Sequence, residues 1–332
     1  MKVSIFIPTF NSSTCISATL SSLISQTHKD IEILCVDDGS TDNTVDIIDS
    51  YSIKDSRIVS LKKHNEGSVP YSWNYVFPYI KGEFILYMSH DDILAKETIE
   101  KLVEKQKSEP EIDCVIPSLI FFENDFENPE KKYYDKNQKS YLGGHKTVSG
   151  KVAFDEMLDY SIPGFGLWRT RLVRKIGMPT DSFNSDEAMQ RIWAKNCRKV
   201  AFSEAKFGYR QTSQSIVKGL KPYHYFSIAT NLLLYKEMIR TEEITEKRKR
   251  NMQYKFFESL FYLDSCYSKH KYLFSRDEQI RYDGISKESY TVLRKQLICP
   301  LTMKGLLMKL SSKSLFIYNL LSCGIGLYHI KD

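Results

Sequence analysis

No run of about 18 uncharged apolar residues, the length a bilayer-spanning helix needs, occurs anywhere in the chain. Its start, Met1-Lys2-Val3-Ser4-Ile5-Phe6-Ile7-Pro8, carries an apolar stretch too short for a secretory leader. Both absences lead to the expectation of a cytoplasmic protein. The 7 cysteines (15, 35, 114, 197, 266, 299 and 323) show no Cys-x-x-Cys spacing. That argues against zinc and against a disulfide framework, and suits a reducing compartment. A Gly-x-Gly-x-x-Gly fingerprint is missing after the first apolar run, where Pro8-Thr9-Phe10-Asn11 stands instead. A P-loop is missing too: Gly144 to Gly150-Lys151 is one residue too long, and Val152 follows the lysine. There is no Gly-x-Ser-x-Gly elbow, no clustered His/Cys set and no internal repeat. Hydride transfer, Walker-type phosphoryl transfer, serine hydrolysis and zinc chemistry therefore have nothing to stand on. Acids are almost absent after Leu293.

What is present is ordinary for a globular protein. The 332 residues, 42% hydrophobic and 27% charged, suffice for one large domain or two small ones with a sizeable core. The 21 Tyr and 18 Phe offer flat faces for sugars or bases, or else a tyrosine-rich helical core. A formal net charge of +6 and the cluster Lys247-Arg248-Lys249-Arg250 suit anionic partners such as phosphates or an acidic membrane surface. The cluster alone also fits a solvated helical face. Nucleic acid has only the net charge behind it and is not an expected partner.

Apolar runs at residues 3–7, 31–36, 58–61 and 84–88 read as short buried strands. Helical spacing separates them, at 12–25, after Thr41 or Asp42, and at 69–80. This alternation predicts an α/β fold with a mostly parallel sheet flanked by helices. In such sheets ligands bind at the carboxyl ends of the strands. The polar signatures lie there: Pro8-Thr9-Phe10-Asn11, Asp37-Asp38-Gly39-Ser40 and His90-Asp91-Asp92. Farther on, residues 114–122 are a strand candidate, 123–144 a polar insertion and 186–196 a helix. Helical signals dominate from Pro222 onward, at 226–239, 250–269, 287–297 and 301–321.

Adjacent carboxylates disfavour each other's ionisation unless a cation offsets them. Asp91 and Asp92 at the end of a buried strand therefore suggest Mg²⁺ or Mn²⁺, which take hard oxygen ligands. The competing reading has Asp92 as the N-cap of a helix beginning near Ala95.

As a set, Val3-Ser4-Ile5-Phe6-Ile7-Pro8-Thr9-Phe10-Asn11, Gln26-Thr27, Val36-Asp37-Asp38-Gly39-Ser40-Thr41-Asp42, Asn65-x-Gly67, Asn74, Gly82-Glu83 and Asp91-Asp92 resemble the family 2 glycosyltransferases. The resemblance covers roughly residues 2–215. It implies a GT-A fold and an inverting, metal-dependent transfer from a nucleotide-diphospho-sugar. It also implies that Pro8, Thr9 and Phe10 pack around base and ribose, with Asp38 accepting from the imide of uracil or thymine. Asn65, Gly67, Asn74 and Asp91 join the nucleotide-binding set. Asp91 and Asp92 match the metal-binding element, with Asp92 the expected direct ligand. Asp186 matches the general base, with Glu187 in reserve; a first helical turn enriched in acids is the plain alternative. His90, standing where Ala or Thr is more usual, either lines the site or turns outward. Thr212 replaces a family histidine, which leaves Arg210 and Ser215 as diphosphate candidates. Trp73 stands where many members have a basic residue. Trp168 either stacks on a pyranose or is a core residue.

The resemblance further implies a UDP- or dTDP-sugar donor and a glycan or lipid-linked saccharide acceptor. A sugar-nucleotide-binding scaffold without turnover is the alternative. Residues 1–220 are the expected catalytic domain, with a nucleotide half (1–112) and an acceptor half (113–220). Residues 221–332 are the expected helical appendage. Its stretch 301–328 either lies in an anionic membrane interface at the inner face of the plasma membrane or packs as ordinary helix.

Overall fold

Strand β1 (Val3–Thr9) is buried at all seven positions and lies between two parallel neighbours, β2 (Ile31–Asp37) and β4 (Phe84–Tyr87). Strand β3 (Ile58–Lys62) continues the parallel set beyond β2. Strands β1 and β4 read as apolar runs rather than alternating ones because both faces are covered, whereas β3 at the edge is only partly buried. Helices α1 (Ile16–Ile24), α2 (Thr44–Lys54) and α3 (Val69–Val76) make the crossovers. The computed structural model describes residues 1–127, 147–159, 162–180, 185–211 and 222–324. Most of the polar insertion, Phe183-Asn184, Thr212 and Ser215 lie outside them.

The remaining strands make the sheet mixed. They are β5 (Ile93–Leu94), β6 (Ile112–Phe122), β7 (Val148–Ser149), β8 (Leu167–Arg169) and β9 (Lys199–Arg210). The order is β3-β2-β1-β4-β8-β6-β9-β5, with β7 also on β9. Strand β8 runs antiparallel between β4 and β6, whereas β6 and β9 pair in parallel. Strands β1–β4, β6 and β9 thus run the same way, and β8, β5 and β7 are the reversed ones. Strand β9 is absent from the sequence reading because Ser203, Glu204 and Lys206 break its apolar pattern. The helix expected near Ala95 begins instead at Thr98, as α4 (Thr98–Lys107), because β5 occupies the intervening residues.

Close packing decides several residue types. Gly82 lies where an added Cβ would come within 2.5 Å of the Ser4 amide nitrogen. Its N–H donates to Ser4 Oγ at 2.8 Å, while the Lys81 N–H donates to Glu32 at 2.6 Å. All three tryptophans form one buried cluster: Trp73 meets Trp193 at 5.2 Å, and Trp193 meets Trp168 at 5.7 Å. Such edge-on aromatic pairs add about 1 kcal/mol each beyond area burial.

The chain forms two compact units: Met1–Thr180 with Met189–Lys218, and Asp181–Ala188 with Gly219–Asp332. In the second, helices Ser227–Ile239, Glu246–His270, Arg276–Leu293, Met303–Ser311 and Leu315–Gly324 enclose a tyrosine-rich core. Tyr267 and Tyr282 stack at 4.0 Å. The half-buried Asp264 accepts from Tyr282 Oη, Ser286 Oγ and Tyr318 Oη at 2.8, 2.7 and 2.6 Å. Burial pushes its carboxyl up, and these three hydroxyls only partly offset that.

In the first unit Asp113, in a bulge of β6, binds Arg169 Nε at 2.6 Å and Arg198 Nε and Nη2 at 2.9 and 2.8 Å. Burial alone would raise its carboxyl, but the hydrogen bonds from Arg198 and then Arg169 win and lower it from 3.8 to about 2. A depressed folded value stabilises above the unfolded one and is lost as pH falls toward the folded one. The full contribution, on the order of 2 kcal/mol, is therefore present above about pH 5. Asp113→Asn should lower the unfolding temperature at neutral pH. Denaturant melts should show the gap to wild type narrowing by about 1 kcal/mol between pH 6 and pH 3. A gap that stays constant with pH would contradict this account.

Candidate functional site

The carboxyl ends of β1, β2, β3 and β4 open onto one edge of the sheet because these strands are parallel. At the β1 end Pro8 and Thr9 are buried and Phe10 is 44% exposed. The Thr9 hydroxyl points inward, 3.3 Å from Asp37 Oδ1, and its carbonyl accepts the Asp38 N–H at 2.8 Å. Asn11, with φ +47°, crosses to the next loop: Oδ1 accepts the Thr41 N–H at 2.8 Å, and its own N–H donates to Ser40 Oγ at 2.9 Å. Thr9 is thus a brace, and Phe10 is the open member of the trio.

Asp37 and Asp38 have different tasks. Asp37 closes its own turn, accepting the Ser40 N–H at 2.9 Å and the Ser40 hydroxyl at 2.5 Å. Asp38 reaches to the loop after β3. Its Oδ1 accepts the Glu66 N–H at 3.0 Å and an ion pair from Lys63, and its Oδ2 accepts the Gly67 N–H at 3.2 Å. Gly67 has φ +76°, the left-handed region that lets this N–H turn back without strain. Gly39, at φ +75°, packs where a Cβ would lie 3.0 Å from the Asn65 N. Lys63, which also pairs with Glu66 at 2.7 Å, is a residue the sequence reading missed. It directly follows β3, so the strand-end rule applied to that strand would have found it.

Downstream, Asp42 accepts the Thr44 hydroxyl at 2.5 Å and the Ser13 N–H at 3.1 Å. Burial would raise its carboxyl, but these hydrogen bonds lower it to about 2. It joins the starts of α1 and α2.

At the β4 end the adjacent carboxylates separate. Asp92 is fully buried. Its Oδ2 accepts the Ser89 N–H at 2.9 Å and its Oδ1 the Arg210 N–H at 3.2 Å. Thr19 Oγ1 lies 2.7 Å from the His90 carbonyl and 2.9 Å from that of Asp92, sharing one proton between them. Burial, and then the charge of Asp91, pushes the Asp92 carboxyl well up despite those two N–H donors. Asp92 is 0% exposed and each of its oxygens accepts one backbone N–H, so of the expected metal pair Asp91 is the more accessible. Asp92 does not cap a helix, α4 beginning only at Thr98. Asp91 and His90 are both half-buried, in contrast to Asp92. Burial and then the charge of Asp91 also push the Cys15 thiol up at the start of α1.

Arg210, the last residue of β9, is drawn to this turn. Its Nε donates to the Asp91 carbonyl at 3.0 Å and its Nη1 to the Glu123 carbonyl at 2.8 Å, with the guanidinium 4.5 Å from the Phe122 ring centre. Other expected residues lie elsewhere. Asn74, on α3, donates to the Met178 carbonyl at 2.9 Å. Trp168 is buried against Trp193, so it has no face for a sugar and belongs to the core. Asp186 and Glu187 are half-buried in the first turn of helix Ser185–Asn196, beside its positive dipole end.

Among the described residues no three His, Cys, Asp or Glu side chains converge on a possible metal position. A Mg²⁺ or Mn²⁺ that arrives with a diphosphate asks for less, one or two carboxylates with phosphate oxygens completing the shell. Asp91 fits that requirement.

Residues 4–164 match the family model described as Glycosyl transferase family 2. GlyG of Streptococcus pneumoniae serotype 4 is 26% identical over 229 residues, covering 65% of this chain and 73% of GlyG. The Escherichia coli protein WfaP, named a UDP-Glc:α-D-GlcNAc-diphosphoundecaprenol β-1,3-glucosyltransferase, is 37% identical over 107 residues. That match spans 32% of this chain and 42% of WfaP, less than half of the relative. The crystal structure of Staphylococcus aureus TarS 1–349 in complex with UDP-GlcNAc aligns with 97% of this chain and 89% of its own, at TM-score 0.67 and 17% identity. At that identity the likeness speaks for the fold, a GT-A fold with helices following it.

Removing Asp92 strands two buried backbone N–H groups, at a cost of about 1–3 kcal/mol each. Asp92→Ala should therefore melt several degrees below wild type, and Asp91→Asn within about 0.5 kcal/mol of it. Equal melting temperatures for the two variants would contradict the division of roles.

Proposed function

We propose that the chain, whose residues 4–164 match glycosyl transferase family 2, moves a sugar from a UDP- or dTDP-sugar to an acceptor hydroxyl with inversion. The acceptor is a lipid-linked or surface polysaccharide intermediate. The observation that carries this reading is the pairing of two strand-end anchors on one edge, Asp38 after β2 and Asp91 after β4, with β1 between them. Two strand spacings separate the anchors by about 10 Å, the reach of a nucleotide from its base to its diphosphate. The name of WfaP, with a UDP-sugar donor and a lipid diphosphate acceptor, supports the substrate classes.

In this mechanism Asp38 accepts from the imide N–H of the base through Oδ2, the oxygen that carries a single intraprotein bond. Lys63 and the Glu66 and Gly67 amides hold that carboxylate in place. Phe10 covers the base or ribose. Asp91 would hold Mg²⁺ or Mn²⁺, which when bound supplies Lewis-acid neutralisation of the leaving diphosphate. Asp92 keeps the Asp91 turn rigid, and Arg210 adds positive charge beside it. The Asp186 carboxylate takes the proton from the acceptor hydroxyl, with Glu187 in reserve. The acceptor oxygen bonds to the anomeric carbon as the bond to the β-phosphate oxygen breaks, and the nucleoside diphosphate leaves with that electron pair.

A panel of nucleotide sugars with Mg²⁺ or Mn²⁺, scored for binding and diphosphate release, tests the reading. The expected result is release from at least one UDP- or dTDP-sugar and its loss in Asp91→Asn. Asp186→Asn should lower transfer by roughly 10²-fold or more while donor binding persists. No response to any such donor refutes the proposal. Binding without turnover favours a sugar-nucleotide-binding scaffold instead.

A further inference from the structure

The last two described helices of the second unit, Met303–Ser311 and Leu315–Gly324, turn apolar side chains away from their own core. Inward they present small or polar groups. Gly305, Met308, Ser311, Tyr318 and Ser322 are buried, and two hydrogen bonds fasten the pair: Tyr318 Oη to Asp264 Oδ2 at 2.6 Å and Tyr290 Oη to the Ser311 carbonyl at 3.1 Å. Outward, Leu306 and Leu310 stand one turn apart on the first helix, and Phe316 and Leu320 one turn apart on the second. Phe316 is 77% exposed, Leu320 63% and Leu306 52%. Lys309 and Lys313 are exposed among them. From Arg294 through Gly324 there are five Lys or Arg and no Asp or Glu, and among the described residues Lys304 alone of Lys304, Lys309 and Lys313 pairs with an acid, Glu258 of the neighbouring helix.

We infer that this outward face is a docking surface for an anionic phospholipid bilayer, on which the two helices lie flat. The chemistry selects that occupant. Leucine and phenylalanine next to lysine, with no acid to repel phosphate, is the composition of an interfacial helix. None of the described helices is long and apolar enough to cross a membrane, which leaves lying on the surface as the way to bury these groups in lipid. A second copy fits worse, because a two-fold axis would set the lysine-bearing face against itself with no carboxylate to pair. The surface extends the proposed lipid-linked acceptor by holding the chain where such a substrate resides, but its binding to lipid does not depend on turnover.

Vesicle co-sedimentation of the full chain tests this, using phosphatidylcholine alone and phosphatidylcholine mixed with phosphatidylglycerol. Wild type should bind the anionic vesicles and leave the neutral ones. Phe316→Glu combined with Leu320→Glu, at exposed positions that leave the melting temperature unchanged, should weaken binding at least about ten-fold. Lys309→Gln and Lys313→Gln should each weaken it roughly five-fold, and more so at low salt. Diphosphate release from a donor, measured on the same preparations, should survive in the glutamate variant, so that a failed docking surface and a failed transfer reading are told apart. Wild type that ignores anionic vesicles, or a glutamate variant that binds them equally well, overturns the inference. So does light scattering that finds a wild-type dimer which the glutamate variant dissolves without any vesicle binding.

Discussion

The site depends on one buried carboxylate. Asp92 is shut off from water at the end of β4, where an uncompensated charge costs several kcal/mol. Its compensation comes from two backbone N–H groups, one three residues back at Ser89 and one 118 residues on at Arg210. That requirement joins the β4 turn to the end of β9 and fixes how the backbone leaves the sheet. Asp91, next in line, stays half-buried, and the Arg210 guanidinium is brought to the Asp91 carbonyl. The two adjacent acids thus differ in burial, Asp92 being spent on holding the turn.

The same economy recurs at β2, where Asp37 closes its turn and Asp38 reaches to the loop after β3. In both places one acid is satisfied within its own turn or by backbone N–H groups, and its neighbour is placed differently. The scaffold beneath is rigid because β1 is buried along its whole length between parallel partners. The edge loops therefore ride on fixed points, which suits a ligand that must be gripped at two places about 10 Å apart.

Much of this was legible in the chain. Short β-branched runs ending in Pro8-Thr9, Asp37-Asp38 and His90-Asp91-Asp92 implied parallel strands with their polar ends on one edge, and those strands are β1, β2 and β4. The tyrosines could be read as helical core, which Tyr267, Tyr282 and Tyr318 are. The reading was weakest where neighbours distant in sequence decide. Trp168 stood in a glycine-rich loop that suggested an open face, yet β8 carries it into the tryptophan cluster between β4 and β6. Asn74 belongs to a family pattern, yet its amide is engaged by the Met178 carbonyl. Lys63 went unnoticed because the strand-end rule was not carried to β3, and its role shows only once Asp38 is seen beside it.

By itself the sequence determined the kind of sheet, the positions of its first four strands along the chain and the polar loops that follow three of them. Periodicity and turn residues act locally, and a parallel sheet converts them into one edge. Which partners each carboxylate of an adjacent pair takes, and how deeply each is buried, was decided only by tertiary structure. Burial and hydrogen-bond geometry depend on residues such as Arg210 and Lys63 that the linear order keeps apart. The outward face of helices Met303–Ser311 and Leu315–Gly324 was settled the same way. An amphipathic pattern shows that a helix has two faces, but only the packing of Tyr318 against Asp264 shows which one is left outside.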